Sequence, residues 1–203
     1  MSSELPPTQK GRHQELRARG LREFAGLKDD LQELDPFELA KYAKLLVVRL
    51  EDIEGLSVET LEELVGKGKD KWSGGAASKV LPDGRKLIVL NPTHGKNRHR
   101  ATLMEEVSHV FLGHRPSRLA ISERDREGNM TARDYNADIE EEAYGTGAAA
   151  LVPYSGLKKL IIQGMTAGQI ARHFGVSRPL VEFRIKISRL WDKYNEHVLL
   201  PRH

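Results

Sequence analysis

A chain of 203 residues, 39% apolar and 30% charged, is long enough for one sizeable core and too apolar to be disordered. It has no cysteine, which excludes disulfide frameworks and Cys-based zinc sites, and no apolar run near the roughly 20 residues that span a bilayer. The net charge of +3 is small beside 32 basic and 29 acidic residues, so nucleic-acid binding would need a local patch rather than a global field.

Residues 1–12 are polar, lack a signal-like apolar segment and read as a flexible tail, with the cytoplasm as the expected compartment. From Gln14 to Leu34 helix formers dominate, and Leu16, Leu21, Phe24 and Leu27 fall near helical spacing, which predicts a helix. Asp35, Pro36 and Glu38 supply a cap, a first-turn proline and a capping-box acid for a helix to about Ala43. Leu45 to Leu50 reads as a short buried strand, and Ser57 caps a helix to about Val65. Lys79-Val80 and Lys86 to Leu90 flank the turn Pro82-Asp83-Gly84, giving a β-hairpin.

A loop from Asn91 to Asn97 leads into a helix from Arg98 to Leu112, ended by Gly113. The charged stretch Arg115 to Asn136 has no clear periodicity and is long for a connection; it reads as a short strand pair or an active-site loop. A helix from about Asp138 to Leu151 stops before Pro153, and the rest of the chain is helical. The expected division is a domain over 13–153 and a helical module over 154–203.

The chemistry concentrates in Glu105-Glu106-Val107-Ser108-His109. At about 100° per residue, positions i and i+4 stand one turn apart on one face, as two ligands of one ion must. Glu106 lies beside that stripe, where a carboxylate can take a proton from water. The zincin signature is His-Glu-x-x-His; here Glu105 stands at its first histidine. Alone, the pattern better suits an exposed amphipathic helix with a lone histidine. On the later helix Glu140, Ala143, Gly147 and Leu151 share a stripe whose small residues would allow close approach to the first helix. The bland reading of Glu140 to Glu142 is a solvated acidic helix start.

Three blocks in order, LPDGRKLIVLNP, RHRATLMEEVSHVFLGH and IEEEAYGTGAAALVP, preceded by Trp72-Ser73, resemble the ImmA/IrrE family of metallopeptidase-like proteins over roughly Asp35 to Pro153. The resemblance implies an α+β fold, a zincin-like helical domain with a small β-hairpin or sheet. It casts Glu106 as general base, His109 as a metal ligand and Glu140 as the third ligand, with Glu105 replacing the first. Two carboxylates and one imidazole make a harder donor set than the family's, so zinc, manganese, iron or no metal are all admissible. The second departure is Thr146-Gly147, where the family has an aromatic and an alanine; a loosened or widened pocket is expected there. His114, five residues past His109, reads as a structural or surface histidine. Tyr135 and Tyr144 read as surface tyrosines or as donors to a reacting oxygen.

Thr166 to Ile185 resembles a helix-turn-helix, with Gly175 in the turn, Ser177 as cap and Ile170, Ala171, Val176, Val181, Ile185 and Leu190 packing inward. Arg178 and Arg184 are the candidate phosphate contacts. Three functions compete. The first is a metallopeptidase-like regulator that cleaves or engages a helix-turn-helix repressor, as the resemblance implies. The second is a non-catalytic protein-binding descendant, and the third a DNA-binding regulator acting through the last module. No membrane partner is expected.

Overall fold

The computed structural model describes residues 4–53, 55–114 and 137–200, and the fold is α+β. The expected stretch 115–136, with Tyr135, lies outside the described residues. Among the described residues no helix is long and apolar enough to cross a membrane.

The first helix, α1, spans Gln9–Phe24, so it starts inside the expected tail, where the Thr8 side chain accepts from the Gly11 amide. It also ends ten residues before Leu34. Gly26 adopts φ +76° and a reversal follows, with the Gly26 and Leu27 amides donating to the Glu23 and Arg22 carbonyls. Of the predicted apolar stripe, Leu21 is buried, whereas Leu16 and Phe24 are exposed. Phe24 instead meets Tyr42 and Phe111 edge-on.

Helix α2 (Pro36–Tyr42) is capped as predicted by Asp35, which accepts from the Phe37 amide; Glu38 turns to Lys41 rather than closing a capping box. Strand β1 (Leu45–Val48) runs parallel to β3 (Lys86–Leu90). Between them in sequence come α3 (Val58–Val65), capped by Ser57, and β2 (Gly74–Val80), which pairs antiparallel with β3. The sheet order is β1-β3-β2. Its inner face, through Ile88 and Leu90, packs on the helices.

Helix α4 (Lys96–Phe111) presents Leu103, Met104 and Val107 to the core, all fully buried. A buried side chain of this size contributes about 1.5–3 kcal/mol. Helix α5 (Ala137–Leu151) is the central helix, buried almost continuously from Ala143 onward and packed against both α1 and α4. Then follow α6 (Tyr154–Ile162), α7 (Ala167–Phe174), α8 (Arg178–Ile187) and α9 (Trp191–Tyr194). Helices α7 and α8 are joined by a short turn: Thr166 and Gln169 form a capping box, Gly175 turns at φ +61°, and Ser177 caps α8. All six expected packing residues are buried, and they share one continuous core with α4 and α5.

Buried charge ties α1 to the C-terminal helices. Glu15 and Arg184 pair at 2.7 Å with almost no exposure. Glu15 also accepts from the Tyr154 amide, and Arg184 Nε donates to the Val152 carbonyl. Burial outweighs the Arg184 charge and holds the Glu15 carboxyl above its ordinary value. This corrects the expectation for Arg184: it is interior and committed to Glu15, so a phosphate has no access to it. Arg178 is exposed and pairs with Glu182 one turn on.

Candidate metal centre

Glu105 and His109 stand one turn apart on α4, and Glu140 comes from the first turn of α5. One ligand atom from each lies within 4.8 Å of the other two. His109 Nε2 and Glu140 Oε2 are 3.3 Å apart. The helices can meet this closely because Gly147, having no β-carbon, packs on the backbone of Met104 and the hydroxyl of Ser108. This is the close approach that the small residues of α5 predict, and Thr146 and Gly147 are both buried.

Burial, reinforced by the charges of Glu106 and Glu140, pushes the Glu105 carboxyl up to about 7. Converging carboxylates beside an imidazole form an arrangement that a divalent cation would relieve, and the donor set fits such an ion. Tyr144, one turn past Glu140, is half-buried against Phe183 at 5.1 Å; burial and the Glu105 charge raise its phenol above the ordinary value, so it stays protonated.

His114 is no surface residue. Helix α4 ends with Gly113 at φ +71°, and the Gly113 and His114 amides donate to the Val110 and His109 carbonyls. In this reversal the second residue past the cap folds back against the third residue before it, so the His114 ring meets the His109 ring, Nδ1 to Nδ1, at 3.0 Å. His114 Nε2 lies 3.0 Å from Glu142 Oε2, and Arg17 of α1 pairs with the other oxygen of Glu142. Burial, with His109 and Arg17 nearby, holds His114 below the usual histidine value. Gly113 ends the helix as expected, and what the sequence reading did not foresee is the fold-back that sets His114 against His109. The available signal was the Gly-His pair at the helix end.

A small sheet flanking two helices, which bring a glutamate–histidine pair and a further carboxylate together, defines a zincin-like architecture of the metallopeptidase type. The family model of the IrrE N-terminal-like domain, Peptidase M78, matches residues 54–186, and the chain belongs to that family, whose members are typically metal-dependent. No curated protein and no solved structure matches the chain significantly.

Proposed function

We propose that the chain is a metal-dependent peptidase-like regulator, with Glu105, His109 and Glu140 holding a divalent cation and Glu106 as general base. The observation that carries this reading is the convergence of the three ligand atoms, with Glu106 next to Glu105 in the position the zincin motif reserves for the base. A bound divalent cation supplies Lewis acidity toward a peptide carbonyl and an attacking water. Glu106 takes the proton from that water and returns it to the leaving amine. Glu105 and Glu140 balance the charge of the cation, and the protonated Tyr144 is a candidate donor to the developing oxyanion. Zinc is the first candidate ion by family, with manganese and iron admitted by the two carboxylates.

The family resemblance supports a helix-turn-helix repressor as the partner. The test is metal analysis of the purified protein, with cleavage of a neighbouring repressor followed by electrophoresis for the native chain and Glu106→Gln. Stoichiometric metal in both, with cleavage only by the native chain, supports the proposal. A native chain without metal overturns it.

One observation favours a second reading, a non-catalytic protein-binding descendant: a carboxylate stands where the motif has its first histidine. In that case metal is retained, no repressor is cut, and Glu106→Gln leaves cellular function intact. A DNA-binding role has lost Arg184 as a contact and would rest on Arg178 and its exposed neighbours on α8.

A further inference from the structure

The metal reading accounts for Glu105, Glu106, His109 and Glu140, but not for the three side chains arrayed behind His109. Arg17 of α1, Glu142 of α5 and His114 after α4 form a continuous line ending on His109 Nδ1. The far nitrogen of the same ring, Nε2, faces Glu140. His114 thus lies on the opposite side of the ring from the cluster, which places it behind a ligand rather than among the ligands.

The chemistry of the line fixes its direction. Glu142 receives Arg17 on Oε1 and His114 on Oε2, and a carboxylate between two donors can only accept. His114 must therefore carry its proton on Nε2. A neutral ring protonated there offers a lone pair at Nδ1, so the 3.0 Å contact closes only if His109 donates from its own Nδ1. His109 is then left with a lone pair on Nε2 beside the Glu140 carboxylate, a pairing that a cation bound between them would make favourable. The opposite polarity would set a lone pair of His114 against the Glu142 carboxylate, which is repulsive.

We propose that His114, backed by Glu142, is a positioning residue that fixes the tautomer and ring plane of His109 for metal binding. This rests on the metal reading above. A ligating imidazole ordinarily donates its second N–H to a carboxylate or carbonyl, and loss of that acceptor costs about 10–100-fold in metal affinity. Here a histidine–carboxylate pair takes the role, and Arg17, upstream of the family match, supplies its outer end.

The experiment titrates Co2+ into chelator-stripped protein and follows the visible absorption of the bound ion. Saturable binding by the native chain, lost in Glu140→Ala, establishes the cluster as the site. His114→Phe keeps a ring but removes the acceptor; its Co2+ affinity should fall about 10–100-fold and its absorption bands should shift, while His114→Gln, whose amide oxygen can accept from His109, recovers most of the loss. Glu142→Ala should weaken binding too, and adding it to His114→Phe should cost little more, because the two act as one unit. Where His114→Phe fails to fold, nitrogen-15 imidazole spectra of the native protein with Zn2+ decide instead, with His109 expected to be protonated on Nδ1 and His114 on Nε2. No saturable Co2+ binding by the native chain overturns both the metal reading and this inference. Binding lost in Glu140→Ala but unchanged in His114→Phe, or a proton found on His114 Nδ1, leaves the metal reading standing and overturns the positioning role.

Discussion

Gly147 of α5 and Met104 of α4 pack backbone to backbone: a β-carbon at position 147 would stand 3.2 Å from the Met104 carbonyl oxygen and 3.1 Å from Ser108 Oγ. The Ser108 hydroxyl is itself fixed, donating to that same carbonyl at 2.8 Å. Glu140 reaches His109 from two turns up the helix that this contact positions. Gly147→Val adds a branched side chain where even a β-carbon would already be tight against its neighbours, and overpacking of this kind costs about 1–3 kcal/mol. The expected loss is about 2 kcal/mol, or roughly 5 °C in Tm for a domain of this size, together with weaker metal binding. Thermal melts followed by circular dichroism read the first effect, and an unchanged Tm would show that the helices have room to part.

The metal-free protein should lose stability as pH rises through neutrality. Glu105 titrates at about 7 in the folded chain against an ordinary value of 4.5. Between those values the folded state holds a proton that the unfolded state has released, so unfolding releases that proton and stability falls with increasing pH. The penalty is absent below about pH 4.5 and complete above about pH 7, where it is on the order of 3 kcal/mol. Glu105→Gln removes it, so this variant should lose less stability than the native apo-protein across that window. Urea midpoints at pH 5 and pH 8 measure the difference; equal pH dependence in the two proteins would show that Glu105 titrates normally.

Charge reversal at Arg184 will not report on DNA. Removing one partner of a buried pair strands the other, at about 3–5 kcal/mol, and Glu15 has almost no exposure from which to recover hydration. Arg184→Ala should therefore lower the urea midpoint sharply, whereas Arg178→Ala, at an exposed pair, should change it by less than about 1 kcal/mol. Should Arg184→Ala be as stable as the native chain, the Glu15 carboxyl must take up a proton or find another donor.

The contrast between those two arginines shows what the sequence could and could not disclose. Local rules sufficed wherever a cap and a period agreed. Asp35, Ser57 and Ser177 each mark a true helix start, the strand from Leu45 stops at Val48 rather than Leu50, and the turn at Pro82-Asp83-Gly84 joins the expected hairpin. The cluster was legible because Glu105 and His109 are one turn apart on a single helix, and small residues on α5 announced a close neighbour. Long-range facts were not. Nothing local tells that Arg184 meets Glu15, 169 positions away. Gly26 stops α1 by the same reversal that Gly113 makes after α4, yet the helix formers beyond it hide the stop. That reversal also folds His114 inward, deciding between the structural and surface readings that the sequence left open.

Divalent metal should stabilise the native chain and leave the ligand variants unmoved. An ion that binds only the folded state adds RT ln(1 + [M]/Kd), about 2.7 kcal/mol at a hundredfold excess over Kd. For a chain of this length each kcal/mol moves Tm by about 2–4 °C, so Zn2+ or Mn2+ should raise Tm by about 5–10 °C. The increment should disappear in His109→Ala and Glu140→Ala, each of which removes one of the three converging ligands. Glu106→Gln should keep it in full, since that residue serves the water rather than the ion. Scanning calorimetry with and without metal separates the cases. Equal increments in the native chain and in Glu140→Ala would place the ion elsewhere on the protein, and the cluster on α4 and α5 would then be only a crowded set of acids.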